Sequence, residues 1–463
     1  MDFTEIYKQT SGLVASSPQD ARYILIAIEN RLIVRRSDTF QITHAWTVED
    51  KVDSGPSSQK GTTVGVASTM SASGDTTITG IGWSSDSRYI LACSAGRGAV
   101  NVFSLLDEAW TARIQGGVEG IVKAEWAPEG RNIVCFSDWT LRVTIWSLST
   151  GKATYIQYPK YGGKCFAFVP GSNLFILAER HKSKDSIGIY DTSSGYQLLR
   201  HFPVLTQSLS SLCVSTNEYI AISENTLEFK VYIYNFAGIL LGTFLPEEEA
   251  GMGVRHMSWH PSGTVLAVSG WSDKIYLLNH FNWAPISIIE FRARIPAETI
   301  VWKEPVGWFE ATHGRGFLPY DRVKRTMIAR DTTGSASTGG CLQMEWNIKG
   351  TGLLVIWENS PTAVHVYQNG EKIRPQLGTV LLHSNAVICA AWNPVKEWKL
   401  GISCGGCSIY TWWKADGDGE IGECIGVPAK KFSVKELRWT THGNGFLLVD
   451  KHAFACAFEV EDD

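Results

Sequence analysis

The chain has 463 residues, of which 44% are hydrophobic and only 19% charged, with 18 Trp and 44 Gly; this composition supplies a large core and excludes the sparse-hydrophobe, high-charge class of disordered chains. A formal net charge of −4 argues against a nucleic-acid surface as the main function, because phosphate binding relies on clustered Lys and Arg. No apolar run reaches the roughly 18 residues of a membrane helix, and Met1 to Thr10 lacks the basic stretch and apolar core of a secretion signal. The expectation is a cytosolic chain that neither inserts into membrane nor binds nucleic acid.

Length alone leaves the domain count open unless an internal repeat intervenes, and one does. In chain order, Phe3 to Tyr7 reads as an orphan strand. A series of anchors follows, mostly aromatic, each ending an alternating run and preceding a turn rich in Pro, Gly, Asp, Asn or Ser: Ser16, Trp83, Trp126, Phe168, Val214, Trp259, Trp346, Trp392 and Trp439. Most steps are about 42 to 47 residues, close to the period of a propeller blade. After each anchor comes an apolar run, a polar break and a second apolar run closing on an aromatic, as in Val143 to Trp146, Ile187 to Tyr190, Val231 to Tyr234 and Ala363 to Tyr367. These short runs of Val, Ile, Tyr and Trp carry the strand signature, and no helical periodicity interrupts them.

The units resemble WD repeats, most of them keeping Trp or Tyr without the Asp of the dipeptide. The expected fold class is therefore all-β, a WD-repeat β-propeller of about nine four-stranded units, more than the usual four to eight blades. It is read as one large ring closed by pairing of the termini, with two rings as the alternative. The last unit, from Phe432, has room for three strands; Phe3 to Tyr7 would complete it and remove an open edge.

Two intervals break the rhythm. Between Ser16 and Trp83 the surplus coincides with 50–77, a Ser, Thr and Gly-rich stretch read as a flexible insertion. Between Trp259 and Trp346 the step is about two periods, and 292–340 is read as an irregular insertion or a degenerate blade.

Chemistry-bearing motifs are weak. Cys404 and Cys407 bracket two glycines, but structural zinc usually wants a second pair, and the 10 Cys lie mostly in apolar runs, as reduced core thiols do. Gly96 to Gly98 and Gly314 to Gly316 lack the Lys and following helix of a phosphate loop. His260 reads as a turn residue, Asp416 and Asp418 as loop carboxylates, and Glu247 to Glu249 as a solvated run. The expectation is no enzyme activity, no cofactor and no metal. The most basic segment, 315–330, with Arg315, Arg322, Lys324, Arg325 and Arg330, reads as a surface loop or a contact for an acidic partner.

Propellers act through their rims, where loops from every blade converge. The turns between second and third strands carry Arg97, Trp139, Arg142, Arg180, Lys184, Trp271 and Trp357. Trp and Arg are the commonest binding hot spots, so these seven are the candidate partner-binding residues; packing between blades is the competing reading for the tryptophans.

Several stretches are similar to one branch of the WD-repeat proteins, the WD-repeat protein eight family of centrosomes and spindle poles: Asp2 to Lys8, Leu141 to Leu148, Tyr155 to Lys160, Leu177 to Arg180 with Lys184 and Asp185, Gln197 to Phe202, Leu227 to Lys230 and Leu278 to His280. The resemblance implies a non-enzymatic adaptor in the cytoplasm and cytoskeleton. Its partners would be a coiled-coil microtubule-anchoring protein and a minus-end-directed kinesin, which together tether microtubule minus ends at the spindle pole body or centrosome. A substrate-receptor propeller of a ubiquitin ligase, or a peptide reader, is the alternative.

Overall fold

In the computed structural model, described here for residues 1–48, 77–160, 164–225, 228–246, 252–324, 327–328, 339–370, 373–415, 419–429 and 431–459, all nine anchors are the last residue of the first strand of a blade. The described residues form an all-β propeller of nine blades, spanning 14–47, 80–115, 123–157, 166–203, 209–244, 256–290, 341–382, 389–426 and 436–458. Each is an antiparallel meander, the arrangement that short alternating runs joined by tight turns can reach most directly. Two compact units divide the chain, Lys8–Tyr155 with nearly all of blades 1 to 3, and Met1–Tyr7 together with Ile156–Asp463, which holds blades 4 to 9.

Inner strands are apolar on both faces because a blade is covered on both sides; in Gly352–Trp357 of blade 7 every residue is buried. Five of the six anchor tryptophans, all but Trp346, do more than fill space. The indole Nε1 of Trp83 donates to the Ala15 carbonyl (3.0 Å), Trp126 to Gly82 (3.2 Å), Trp259 to Cys213 (3.3 Å), Trp392 to Glu345 (3.0 Å) and Trp439 to Ala391 (3.0 Å). In every case the acceptor directly precedes the anchor of the preceding blade. The repeat thus encodes a one-way latch from blade to blade, each bond contributing about 1 kcal/mol.

The residue after the anchor makes a second latch, in the opposite direction. Ser215 Oγ reaches the Gly263 carbonyl (2.9 Å), Asn347 Nδ2 that of Glu397 (3.1 Å) and Asn393 Nδ2 that of Gly443 (2.8 Å). His260 does the same with Nε2 on the Gly350 carbonyl (3.0 Å). A carbonyl can only accept, so Nε2 carries the proton and Nδ1 accepts from Ser262 (2.7 Å). Burial lowers the His260 pKa and favours this neutral form. Gly350 sits at φ +77, and a β-carbon there would lie 2.2 Å from His260 Nε2. Gly350→Ala should therefore cost about 2 kcal/mol or more, from backbone strain and displacement of the imidazole. The urea midpoint of the variant against the parent chain measures it.

The termini meet in blade 9. Its strands Glu436–Trp439, Gly445–Val449 and Ala453–Phe458 are completed by Asp2–Phe3, with Asp2 opposite Phe458 and Phe3 opposite Ala457. The orphan strand expected at Phe3 to Tyr7 is in fact two short pieces, Asp2–Phe3 and Tyr7–Lys8, both on Ala453–Phe458. Thr4 explains the interruption: its backbone N–H donates to the Cys456 carbonyl (3.0 Å), but its hydroxyl, not its carbonyl, accepts from the Cys456 N–H (2.9 Å).

Residues from the 292–340 interval widen blades 7 and 8. Ile300–Lys303 runs parallel to Gln376–Leu382 of blade 7 and pairs on its other side with Asp321–Arg322, while Phe317–Pro319 pairs antiparallel with Glu420–Gly426 of blade 8. Between them one helical turn, Trp308–Ala311, departs from the expected absence of helix. Glu304 fastens the segment: its buried carboxylate accepts from Trp308 Nε1 (2.7 Å), Tyr410 Oη (2.8 Å) and the Ser384 N–H (2.6 Å). Burial opposes its ionisation, but these hydrogen bonds outweigh it and hold the carboxyl below its ordinary value.

All ten cysteines are free thiols. Cys404 is buried, and burial pushes its thiol well up; Cys407 is half-buried beside the Phe432 carbonyl (2.9 Å). Among the described residues no helix is long and apolar enough to cross a membrane, and no group of three or more His, Cys, Asp or Glu side chains is placed to hold a metal ion. Outside the described residues lie 50–76, Glu247 to Glu249, Asp416, Asp418, Arg325 and Arg330.

Candidate protein-interaction surface

Backbone hydrogen bonds tie the turns between second and third strands to the connections that enter each blade. In the first unit these run from Gly116 N to Gly98 O (2.8 Å) and from Asp138 N to Glu119 O (3.1 Å). In the second they run from Arg180 N to Tyr158 O (2.9 Å), Asn225 N to Ser208 O (2.7 Å), Phe291 N to Asp273 O (2.9 Å) and Glu358 N to Gly340 O (2.9 Å). Both kinds of loop therefore share one end of their blades.

In blades 2 and 3, Arg97 closes the 3-10 turn Ala95–Arg97 and is half-buried. Trp139 stands in the turn Asp138–Thr140, 83% exposed, with Trp139 at φ +61 and Thr140 at φ +54. Two consecutive non-glycine residues in the left-handed region are costly, about 1 kcal/mol or more each. The turn is held in place by Arg142, which pairs with Glu119 and lies 4.6 Å from the Tyr155 ring. Around Trp139 the neighbouring segments expose Leu141 (53%), Val122 and Val118, the last fully exposed. One aromatic and three aliphatic side chains thus face solvent at one rim, on a loop made rigid by an ion pair beneath it.

In blades 4 to 7 the candidate residues serve different ends. Asp185 is buried and accepts from Lys160 Nζ (3.0 Å), Arg180 NH1 (3.1 Å), Thr206 Oγ1 (3.1 Å) and the Leu209 N–H (2.5 Å). Arg180 is thereby committed to a buried carboxylate. Lys184 opens the third strand, exposed and close after Lys182 and Ser183, both at positive φ. Trp271 is half-buried under the Arg255 guanidinium (4.4 Å), which also pairs with Glu358 (2.7 Å). Trp357, expected at the rim, is a correction: it is 0% exposed, ends the fully buried strand Gly352–Trp357, and joins the core with Phe291 and Val355. The turn begins one residue later, at Glu358, so the indole falls on the inward side of the pleat.

Sequence reasoning missed Val118, Val122 and Leu141, being directed at Trp, Arg and Lys. It also missed the acidic partners Glu119 and Asp185. A carboxylate in the connection beside Arg142 and in the strand beside Arg180 is the signal that could have flagged those two arginines as structural.

Comparison with known proteins agrees with the repeat architecture. The family model for the WD domain, G-beta repeat, matches residues 240–279, from the last strand of blade 5 to the third of blade 6. The chain is 29% identical to the WD repeat-containing protein WRAP73 of Mus musculus, over 99% of this chain and 96% of that protein. It is 22% identical to an uncharacterized WD repeat-containing protein of Schizosaccharomyces pombe, over 80% of this chain and 78% of that one. Among solved structures it is similar to the C-terminal WD40 domain of Sif2, at 12% identity and a TM-score of 0.48, covering 92% of this chain and 99% of that one. The chain is thus similar over nearly its full length to WRAP73, with a WD repeat matched at 240–279.

Proposed function

We propose that this chain is a non-enzymatic scaffold that docks partner proteins on the rim around Trp139. The observation that carries the reading is an indole 83% exposed on a backbone held in the left-handed region, flanked by exposed Val118 and Leu141. A fold that strains two residues to keep a tryptophan in water gains nothing from it in stability, whereas a partner that covers the ring gains a large, rigid contact. The apolar stripe of an amphipathic helix suits such a row of aliphatic and aromatic side chains. A coiled-coil microtubule-anchoring protein is accordingly the proposed first partner, with a minus-end-directed kinesin joining the assembly. Full-length similarity to WRAP73 and the resemblance in the opening segment support a place at the spindle pole body or centrosome, where the complex tethers microtubule minus ends.

Trp139→Ser is the clean test, since the side chain is exposed and its loss leaves the core intact. Capture of the coiled-coil partner should weaken about 30-fold, the effect of losing a hot spot of roughly 2 kcal/mol, with the melting curve unchanged. Arg180 and Trp271 are poor probes because both hold the fold. A folded Trp139→Ser chain that captures its partner with full affinity would falsify this rim as the docking surface.

A further inference from the structure

A second feature lies in the wedge between blades 8 and 9. Blade 8 carries the added strand Phe317–Pro319, whereas the outermost strand of blade 9 facing it is only Asp2–Phe3. Toward the axis the wedge is closed, because Gly401 leaves room for the Phe446 ring, 2.4 Å from where a β-carbon would stand. Toward the outside the widened sheet overhangs its neighbour, and a cleft of about 680 Å³ remains. That volume falls within the usual range of ligand sites, about 300 to 1,000 Å³.

Strand register places the chemistry. Gly401, Thr411, Glu423 and Pro319 form one cross-strand row, so their side chains share a face. Two residues along, Phe317 and Ile425 flank the row on one side, and Trp413 and Lys399 flank it on the other. Phe317 is 60% exposed because no strand of blade 9 reaches it. The charges are unequally satisfied. Lys399 is buried and paired with Glu459, its Nζ 5.5 Å from the Trp413 ring. Glu423 accepts no hydrogen bond among the described residues, and the Thr411 hydroxyl, on a residue only 1% exposed, also meets no partner there. Burial pushes the Glu423 carboxyl up, offset in part by the amino-terminal ammonium and Lys399. Arg315 also lines the cleft, but it is not among the charges that act on the Glu423 carboxyl.

A carboxylate that accepts no hydrogen bond among the described residues and a buried hydroxyl without a partner there stand side by side, in a cleft lined by two aromatic rings, and leave acceptor capacity that the fold does not use. They match one kind of group: planar, cationic and rich in donors. We propose that the cleft receives an arginine side chain of a partner polypeptide, its guanidinium bonded to Glu423 and Thr411 and its stem lying between Phe317 and Trp413. A carboxylate can only accept, so an anion would find no donor at Glu423, and a lysine ammonium cannot serve the carboxylate bidentately while lying flat on a ring. The site is separate from the Trp139 rim and does not depend on it.

The test uses the full chain as bait and a phage-displayed library of random heptapeptides as probe. The parent chain should enrich arginine-containing peptides, and a selected peptide should lose at least tenfold in affinity when its arginine is replaced by neutral citrulline. Glu423→Gln should abolish the enrichment while folding normally, since it keeps the side-chain shape and removes no hydrogen bond among the described residues. Thr411→Val, nearly equal in volume, should weaken the selected peptide several-fold and provides an independent variant. Trp139→Ser should leave the selection unchanged, which separates this site from the rim. Absence of arginine enrichment, equal affinity for the citrulline peptide, or an unaltered selection by Glu423→Gln would each overturn the proposal.

Discussion

Removal of residues 1–8 should lower the thermal midpoint by roughly 5 °C and make the protein prone to concentration-dependent aggregation. The deletion strips Ala453–Phe458 of Asp2–Phe3 and Tyr7–Lys8, together with both hydrogen bonds between Thr4 and Cys456. It also removes Met1 and Phe3 from the cluster around Phe446 and Leu448, and the Tyr7 ring from Phe454, 5.5 Å away. Several backbone bonds at about 1 kcal/mol each, and two aromatic side chains at about 1.5 kcal/mol or more, amount to roughly 5 kcal/mol. The exposed edge then offers its free N–H and C=O groups to any other strand. Scanning calorimetry of the truncated and full chains, with light scattering at two concentrations, measures both effects. An unchanged midpoint would mean that blade 9 is stable with three strands.

The other large effect is expected at Asp185. Asp185→Ala should destabilise the chain by about 3 to 5 kcal/mol, the usual penalty for removing one side of a buried charge cluster. The carboxylate is buried and takes four donors, two of them the cations of Lys160 and Arg180. Without it, both cations keep only the Ser208 hydroxyl and no counter-charge, and the Thr206 and Leu209 donors lose this acceptor. Asp185→Asn keeps the shape but not the charge and should recover part of the loss. Because the cluster is shielded from solvent, the effect should persist at high salt, unlike that of an exposed pair. Denaturant titrations of both variants at low and high salt distinguish the two cases.

The sequence made the repeat legible because its signals are local. An aromatic residue, a turn and two apolar runs recur within each blade, and even Ser16 and Val214, with no aromatic ring, fall at the end of a first strand. What it could not reveal lies between distant residues. Glu304 meets Tyr410 across 106 positions, so nothing near Glu304 indicates that 300–322 docks on blades 7 and 8. Trp139 was legible as an exposed rim residue, for a tryptophan in a short turn has little to cover it. Trp357 was not, because a shift of one position decides which way a strand residue faces. The roles of Arg142 and Arg180 were hidden for a similar reason. Their carboxylates Glu119 and Asp185 lie in segments that look like ordinary connections and strands until the blade is assembled.

The pairing of the two ends also fixes an order of events during synthesis. Thr4 and Cys456 are 452 residues apart, so the segment around Thr4 is made long before the strand it pairs with. At typical elongation rates of about 5 to 20 residues per second it waits some tens of seconds while the blades form behind it. Its shape suits that delay. Asp2–Phe3 and Tyr7–Lys8 are two residues each, separated by a break at Thr4, with Asp2 and Lys8 exposed. A longer, smoother and more apolar strand would serve blade 9 equally well once made, but through that interval it would be a free template for neighbouring nascent chains.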